Sequence, residues 1–190
     1  MTQSDPLARR LAAGNLDAPR QLVERHHAEL YRYALALLRD ASAAEDVVQD
    51  AFERAFAALG KYSEDRIKAL SVRAWLYRIT LNVVRNAWRE RSREIPAAET
   101  PERADVRMET EFGSTSGSDR EAWLDTLGAL ERLSERQRVA VALRYLEDLP
   151  YAGIAEATGW PENTCKTLVR RGIERLSVLL SEGPDGNGGR

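Results

Sequence analysis

Hydrophobic residues in the first half of the chain recur every three to four positions, which is the period of an amphipathic helix. Such a pattern covers residues 19–39, 43–59 and 72–91, and each stretch carries polar residues on its other faces. The segment between the last two, GKYSEDRIKALS at 60–71, is polar and is predicted to be a loop. The first half of the chain is therefore predicted to contain three long helices.

The second half continues the helical pattern in shorter pieces. Residues 120–130 are periodic, and a further helix is predicted to open at Ser134, because Ser134 and Gln137 have the spacing of a capping box. Two more short helices flank a bend in the sequence GIAEATGWPENTCKTLVRR at 153–171. No pair of alternating apolar runs is joined by an Asn-Gly or Asp-Gly turn, so no β-hairpin is predicted.

The two helical blocks are separated by a different kind of sequence. Residues 94–119 contain two prolines, a Gly/Ser/Thr cluster and an acidic excess, and few large apolar residues. Such a composition cannot bury enough surface to offset the entropy of ordering it. We predict an all-α protein with two small helical domains, 5–93 and 120–181, joined by a flexible linker at 94–119 and followed by a disordered tail at 182–190.

Composition narrows the chemistry. The 190 residues carry a formal net charge of −2, so nucleic-acid binding would have to come from local basic patches. One cysteine and two adjacent histidines cannot form a disulfide within the chain or a Cys/His zinc site. No phosphate loop, nucleophile elbow or signal peptide is present, so we predict a cytoplasmic, non-enzymatic protein that needs no cofactor.

The bend at 153–171 has the pattern of a helix-turn-helix. Ala155 is small enough for two helices to meet, Gly159 permits a turn with positive φ, and Pro161 suits the first turn of the second helix. A packed hairpin with a solvated basic face is the alternative to a DNA-binding one. The outward face of the second helix supplies the candidate DNA-binding residues, namely Asn163, Lys166, Thr167, Arg170 and Arg171.

The helix at 72–91 has a second basic face. Arginines contact phosphates, asparagines can read base edges, and the nearby aromatic residues Trp75, Tyr77 and Trp88 could stack on unpaired bases. This mixture suits single-stranded DNA, although an ordinary amphipathic helix with core tryptophans would look the same. The polar stripe consists of Arg78, Asn82, Arg85, Asn86 and Arg89.

The helix at 43–59 carries an acidic face that is unsuited to DNA. It is either solvated, as most such faces are, or a docking site for another protein. Its members are Asp46, Gln49, Asp50 and Glu53.

Taken in order, these features resemble a sigma-70 family RNA polymerase sigma factor of the extracytoplasmic-function (ECF) type. AEDVVQDAFERAF resembles the core-polymerase-binding helix of that family, and RAWLYRITLNVVRNAWRER its −10-reading and promoter-melting helix. LERLSERQRVAVALRYLEDLPYAGIAEATGWPENTCKTLVRRGIERL resembles its −35-reading helix-turn-helix. The resemblance covers most of both helical blocks.

The resemblance implies a role for each group of residues. The four residues of the acidic face would bind the clamp helices of the polymerase β′ subunit. Asn82, Arg85 and Asn86 would handle the melted −10 strand, and the loop at 61–71 would take up a flipped-out base. Lys166, Thr167, Arg170 and Arg171 would read the −35 element. The resemblance also implies that a separate anti-sigma factor regulates the protein.

The chain departs from the family pattern at Pro150, Pro161, Cys165 and Leu168. These departures concern promoter specificity and leave the fold intact. A two-domain regulator that binds duplex DNA without being a polymerase subunit is the alternative function. The basic and aromatic helix at 72–91 argues against that alternative, because a sensor domain would not need it.

Overall fold

The structure is a computed structural model that describes residues 5–94 and 117–181. All regular structure within these ranges is helical, as the sequence predicts. Within these ranges the chain divides into an N-terminal unit, which contains residues 5–94, and a C-terminal unit, which contains residues 117–155 and 159–181. The helices confirm the predicted all-α fold.

The N-terminal unit is built on three long helices. Tyr33 of one and Tyr77 of another lie fully buried and meet edge to face, with ring centroids 5.2 Å apart. This contact places two aromatic rings at the centre of the core. The helices are α1 (Pro6–Ala12), α2 (Ala18–Leu38), α3 (Ala41–Leu59), α4 (Glu64–Lys68) and α5 (Val72–Glu94).

Two short helices of this unit were not predicted from the sequence. Helix α1 begins after Asp5, whose side chain accepts a hydrogen bond from the backbone N–H of Leu7 at 2.9 Å. Helix α4 lies within the segment predicted to be a loop, so that prediction is wrong for residues 64–68. Ser63 caps α4 by accepting from the N–H of Arg66 at 3.4 Å, and Ile67 anchors the short helix in the core.

The C-terminal unit consists of short helices that end in one long helix. Its elements are α6 (Gly117–Glu131), α7 (Glu135–Val141), a π-helical turn (Ala142–Leu146), α8 (Tyr151–Thr158) and α9 (Glu162–Ser181). The predicted capping box opens α7, with the N–H of Gln137 donating to the Ser134 hydroxyl and the Gln137 side chain accepting from the N–H of Ser134.

The bend between α8 and α9 has the predicted conformation. Gly159 adopts φ of 75° and donates its N–H to the carbonyl of Ala155 at 2.8 Å. A Cβ at this position would meet no atom within 4 Å, so the backbone conformation alone requires glycine. Ile154, Cys165 and Val169 are buried around the joint. Cys165 is therefore a core residue, as expected.

The linker and tail predictions fall mainly outside the described residues, at 95–116 and 182–190. Helix α5 reaches residue 94, and α6 begins at residue 117. Helical structure thus extends four residues into the predicted 94–119 segment, at residue 94 and at residues 117–119.

A charged cluster joins α2 to α5. Glu29 is hydrogen-bonded to the ring of His26, which is buried, and accepts from Arg73 Nε at 2.9 Å. Burial raises the pKa of Glu29, but the hydrogen bond from His26 and the charge of Arg73 outweigh it and hold the pKa below its ordinary value. Glu29 is therefore ionised at neutral pH and stabilises the packing of α5 on α2.

We expect Glu29→Gln to lower the free energy of unfolding by about 1–3 kcal/mol at neutral pH, because a charged acceptor is lost. A carboxyl whose pKa is lowered by folding stabilises above its unfolded pKa, and the effect disappears as the pH falls through the folded pKa. Urea unfolding of both proteins should show a difference that shrinks below about pH 4.5. A difference that stays constant down to about pH 3 would contradict this role of the charge.

Candidate nucleic-acid and protein interfaces

The five candidate DNA-binding residues of the C-terminal unit lie together on the solvent side of α9. Asn163, Lys166, Arg170 and Arg171 are exposed. Thr167 is half-buried, and its hydroxyl donates to the carbonyl of Asn163 at 2.9 Å. Since residues three and four apart share a helix face, α9 presents one continuous polar surface.

Two of the cations on this surface are held by carboxylates of the same helix. Lys166 Nζ lies 2.7 Å from Glu162, and Arg170 Nη1 lies 3.0 Å from Glu174. The hydrogen bond and the charge of Glu162 raise the pKa of Lys166. Exposed pairs at this spacing contribute little to stability, so phosphates can replace the carboxylates at small cost.

An aromatic residue of α8 lies between two cations. The ring centroid of Tyr151 is 5.7 Å from Lys166 Nζ and 5.5 Å from Arg144 Cζ. The Arg144 guanidinium also donates to the carbonyl of Leu149 at 3.2 Å. Tyr151 of α8 therefore forms a cation–π contact with Lys166 of α9. The sequence did not indicate this contact.

The predicted basic stripe on α5 also lies on one face. Arg78, Asn82 and Arg89 are exposed, and Arg85 and Asn86 are half-buried. Two of the aromatic residues near this stripe lie in the core instead of on the surface. Trp75 is 7% exposed and Tyr77 is 0% exposed, so both are core residues and the proposed stacking of bases on them is wrong. Trp88 remains partly exposed.

A separate aromatic cluster lies beside α4, in the segment that was predicted to be a loop. The guanidinium of Arg66 lies 3.7 Å from the ring centroid of Tyr62. The Tyr62 ring is 6.3 Å from that of Trp75, with a tilt of 56° between them. Sequence reasoning missed this cluster because it assigned no structure to α4, although Ser63 followed by Glu64 and Asp65 is a helix-start signal.

The acidic face of α3 is confirmed as a surface. Asp46, Gln49 and Glu53 are exposed, and Gln49 donates to Glu53 at 3.2 Å. Asp50 is half-buried and forms a two-point pair with Arg54, at 2.9 and 2.7 Å. Asp46 and Glu53 thus carry the negative charge of this face that Arg54 does not balance.

Comparison with known proteins identifies both units. Residues 22–94 match the family model for sigma-70 region 2, and residues 124–176 match that for sigma-70 region 4. The ECF RNA polymerase sigma factor SigM of Mycobacterium tuberculosis is 33% identical over 172 residues, which cover 88% of this chain and 80% of SigM. The chain belongs to the sigma-70 family, in its ECF group. All three candidate surfaces lie within the matched regions.

Other ECF and sigma relatives extend this likeness. The RNA polymerase sigma-H factor of Pseudomonas aeruginosa is 28% identical, with 94% of each chain covered. The ECF sigma factor BldN of Streptomyces coelicolor is 29% identical over 93% of this chain, and the chain spans 65% of the length of BldN.

Two solved structures share the fold. CnrH, in complex with the cytosolic domain of CnrY, has a TM-score of 0.69 and 26% identity, and the match covers 93% of this chain and 96% of that one. RpoE of Bartonella quintana, in complex with the anti-sigma factor NepR, has the same TM-score and identity over 87% of this chain and 98% of that one.

No helix within residues 5–94 or 117–181 is long and apolar enough to cross a membrane.

Proposed function

We propose that this sigma factor binds core RNA polymerase and directs it to promoters that it reads with two separate surfaces. The observation that carries the proposal is that region 2 and region 4 occur in one chain, and that each displays an exposed polar face on a helix of its own. The protein would act in the cytoplasm as a non-enzymatic initiation factor.

Helix α9 is proposed to lie in the major groove of the −35 element. A helix fits this groove, where arginine, lysine and asparagine can distinguish base pairs by their hydrogen-bonding edges. The contacting residues are Asn163, Lys166, Thr167, Arg170 and Arg171. Before binding, Lys166 pairs with Glu162 and Arg170 with Glu174.

Helix α5 is proposed to handle the melted −10 strand. Its exposed cations would bind the phosphates, and its asparagines could contact base edges that strand separation uncovers. The residues are Arg78, Asn82, Arg85, Asn86 and Arg89. Because Trp75 and Tyr77 are core residues, stacking would fall to Tyr62 at α4, where a flipped-out base could lie against the ring and the Arg66 guanidinium.

The acidic face of α3 is proposed to dock on the clamp helices of the polymerase β′ subunit. Asp46, Gln49, Asp50 and Glu53 offer carboxylates and one amide on a single exposed surface. Charges of one sign on such a surface steer association with a basic partner and fix its orientation. The same surface cannot contact DNA phosphates.

A separate anti-sigma factor is proposed to hold the protein inactive. RpoE, at 26% identity and a TM-score of 0.69, was solved in complex with the anti-sigma factor NepR. Capture of the chain from its native cells should therefore recover polymerase subunits and, under non-inducing conditions, an antagonist.

Reconstitution tests the proposed function. The purified chain is added to core RNA polymerase from its own source and to a library of genomic templates from that source, and run-off transcripts are sequenced. A set of transcripts that share two upstream elements is expected. Duplex binding without any promoter-specific transcript would indicate a regulator that is not a polymerase subunit, and would overturn the proposal.

Tyr62→Ala is expected to slow promoter opening while leaving holoenzyme assembly and closed-complex affinity unchanged. Stacking of one base on an aromatic ring contributes about 1–3 kcal/mol, so the open complex should become roughly 5- to 150-fold less populated. Permanganate reactivity of unpaired thymines in the −10 region measures the opening. Leu16→Ala truncates an exposed apolar side chain outside the three surfaces and is the control, and an equal loss with both variants would contradict a stacking role for Tyr62.

A further inference from the structure

One cation at the helix-turn-helix lies outside all the surfaces described so far. Arg136, an exposed residue of α7, has its guanidinium carbon 4.8 Å from the ring centroid of Trp160. Trp160 is half-buried and stands in the bend, directly before Pro161 and the start of α9. The cation is thus held at the end of α9 from which Asn163 projects.

The charge of Arg136 differs from two of those on α9. Lys166 and Arg170 each pair with a carboxylate of their own helix. Among the described residues, Arg136 forms no salt bridge, and its interaction with the protein is the cation–π contact with the Trp160 ring. A cation–π contact does not pair the guanidinium N–H groups with an oxygen acceptor, so they remain able to donate to a phosphate.

The contact with the ring also limits the motion of the long Arg136 side chain. Arginine loses much rotamer freedom when a ligand immobilises it, and a side chain already held on a ring loses less. A guanidinium whose motion is already restricted therefore loses less entropy on binding a phosphate than one that moves freely.

The distance that the chain can span from Trp160 to Asn163 is less than the width of the major groove. Asn163 lies three positions after Trp160, and such a segment spans at most about 10 Å. The major groove is about 12 Å wide and is bordered by the phosphates of both strands. A helix that lies in this groove with Asn163 near the bases brings the Arg136–Trp160 pair close to the bordering backbone.

We propose that Arg136, positioned by the ring of Trp160, binds a DNA backbone phosphate beside the groove that α9 occupies. The inference rests on the proposed role of α9 at the −35 element. Contacts to phosphates fix the register of a protein on the duplex and carry no sequence information. Arg136 would thus set the position of α9, and the residues of α9 would read the bases.

Salt dependence of DNA binding by the full chain tests this inference. The probes are a labelled duplex with the −35 element of a promoter transcribed in the reconstituted assay, and a mixed-sequence duplex of equal length. Fluorescence anisotropy is measured between about 50 and 200 mM NaCl. Arg136→Gln should weaken both complexes by the same several-fold factor and reduce the slope of log K against log salt by about one.

Further variants separate positioning from charge. Arg136→Lys keeps the charge but loses the planar guanidinium and its several donors, so we expect an affinity between those of the wild type and Arg136→Gln, with the slope retained. Trp160→Leu keeps Arg136 but removes its support and should also weaken binding to both duplexes. Arg132→Gln removes another exposed charge four residues earlier and should have a smaller effect than Arg136→Gln.

The outcomes are distinct from those that test the role of α9. If Arg136→Gln and Arg132→Gln weaken binding equally, or if Arg136→Gln leaves the salt slope unchanged, the phosphate contact is overturned. If Arg170→Ala removes the preference for the −35 duplex in the same experiment, the role of α9 stands regardless. Loss of neither affinity nor preference in Arg170→Ala would overturn the role of α9 and the inference with it. Thermal melting by circular dichroism identifies any variant that fails to fold.

Discussion

Asp46→Lys combined with Glu53→Lys is expected to abolish binding to core RNA polymerase while the chain stays folded. Both side chains are exposed on the acidic face of α3 and lie outside the hydrophobic core. Placing like charges opposite each other across an interface costs several kcal/mol, which corresponds to at least about a hundred-fold in Kd. Anisotropy of a labelled chain titrated with core enzyme measures the loss.

A second double reversal on the same unit provides the control. Asp17 and Glu24 are exposed at the start of α2, so Asp17→Lys with Glu24→Lys changes the net charge equally. Glu24 pairs with Arg20 in an exposed contact that contributes little to stability. Equal loss of polymerase binding in both double variants would indicate a general charge effect. Normal binding by the α3 variant would refute docking through this face.

The long helices could be predicted because each repeats its apolar positions over several turns. Helix α2 spans 18–38 against a prediction of 19–39, and α3 spans 41–59 against 43–59. The short helices α1 and α4 contain too few turns to show a period, and isolated helices of that length are marginal. They form because single side chains, Asp5 and Ser63, cap them and because Leu7 and Ile67 are buried.

The orientation of the aromatic residues of α5 could not be predicted, for a different reason. Spacing within one helix could not decide whether Trp75 and Tyr77 face the core or a nucleic acid. The decision depends on partners distant in sequence, since Tyr33 of α2 packs against Tyr77 and Tyr62 lies near Trp75. The outward faces of α3 and α9 could be predicted, because charged and amide side chains at helical spacing cannot be buried without partners.

The carboxylates on α9 were within reach of sequence reasoning. Glu162 and Lys166, like Arg170 and Glu174, are four residues apart on a predicted helix, which is the spacing of an ion pair. The contact between Arg136 and the Trp160 ring could not be predicted, because it joins α7 to the bend and depends on how these elements pack.

Gly172→Ala is expected to destabilise the C-terminal unit by about 1–3 kcal/mol, although alanine is the better helix former. A Cβ at position 172 would lie 2.6 Å from Cγ2 of Val141, a distance at which one of the two must move. Val141 is 4% exposed and β-branched, so its methyl group cannot swing away without disturbing the core. Helices α7 and α9 would have to separate, and small units have little stability to spare.

Gly153→Ala is the matched control for this prediction. Its Cβ would meet side-chain atoms of Pro150 and Leu149 at 3.5–3.6 Å, which is ordinary contact, and the helix propensity of alanine should then stabilise α8 by up to about 1 kcal/mol. Urea unfolding followed by circular dichroism compares the two variants. Val141→Ala removes the methyl group that clashes, so with Gly172→Ala it should cost less than the sum of the single changes. Strict additivity of the two changes would mean that the close approach of α7 to α9 at Gly172 is not the source of the destabilisation.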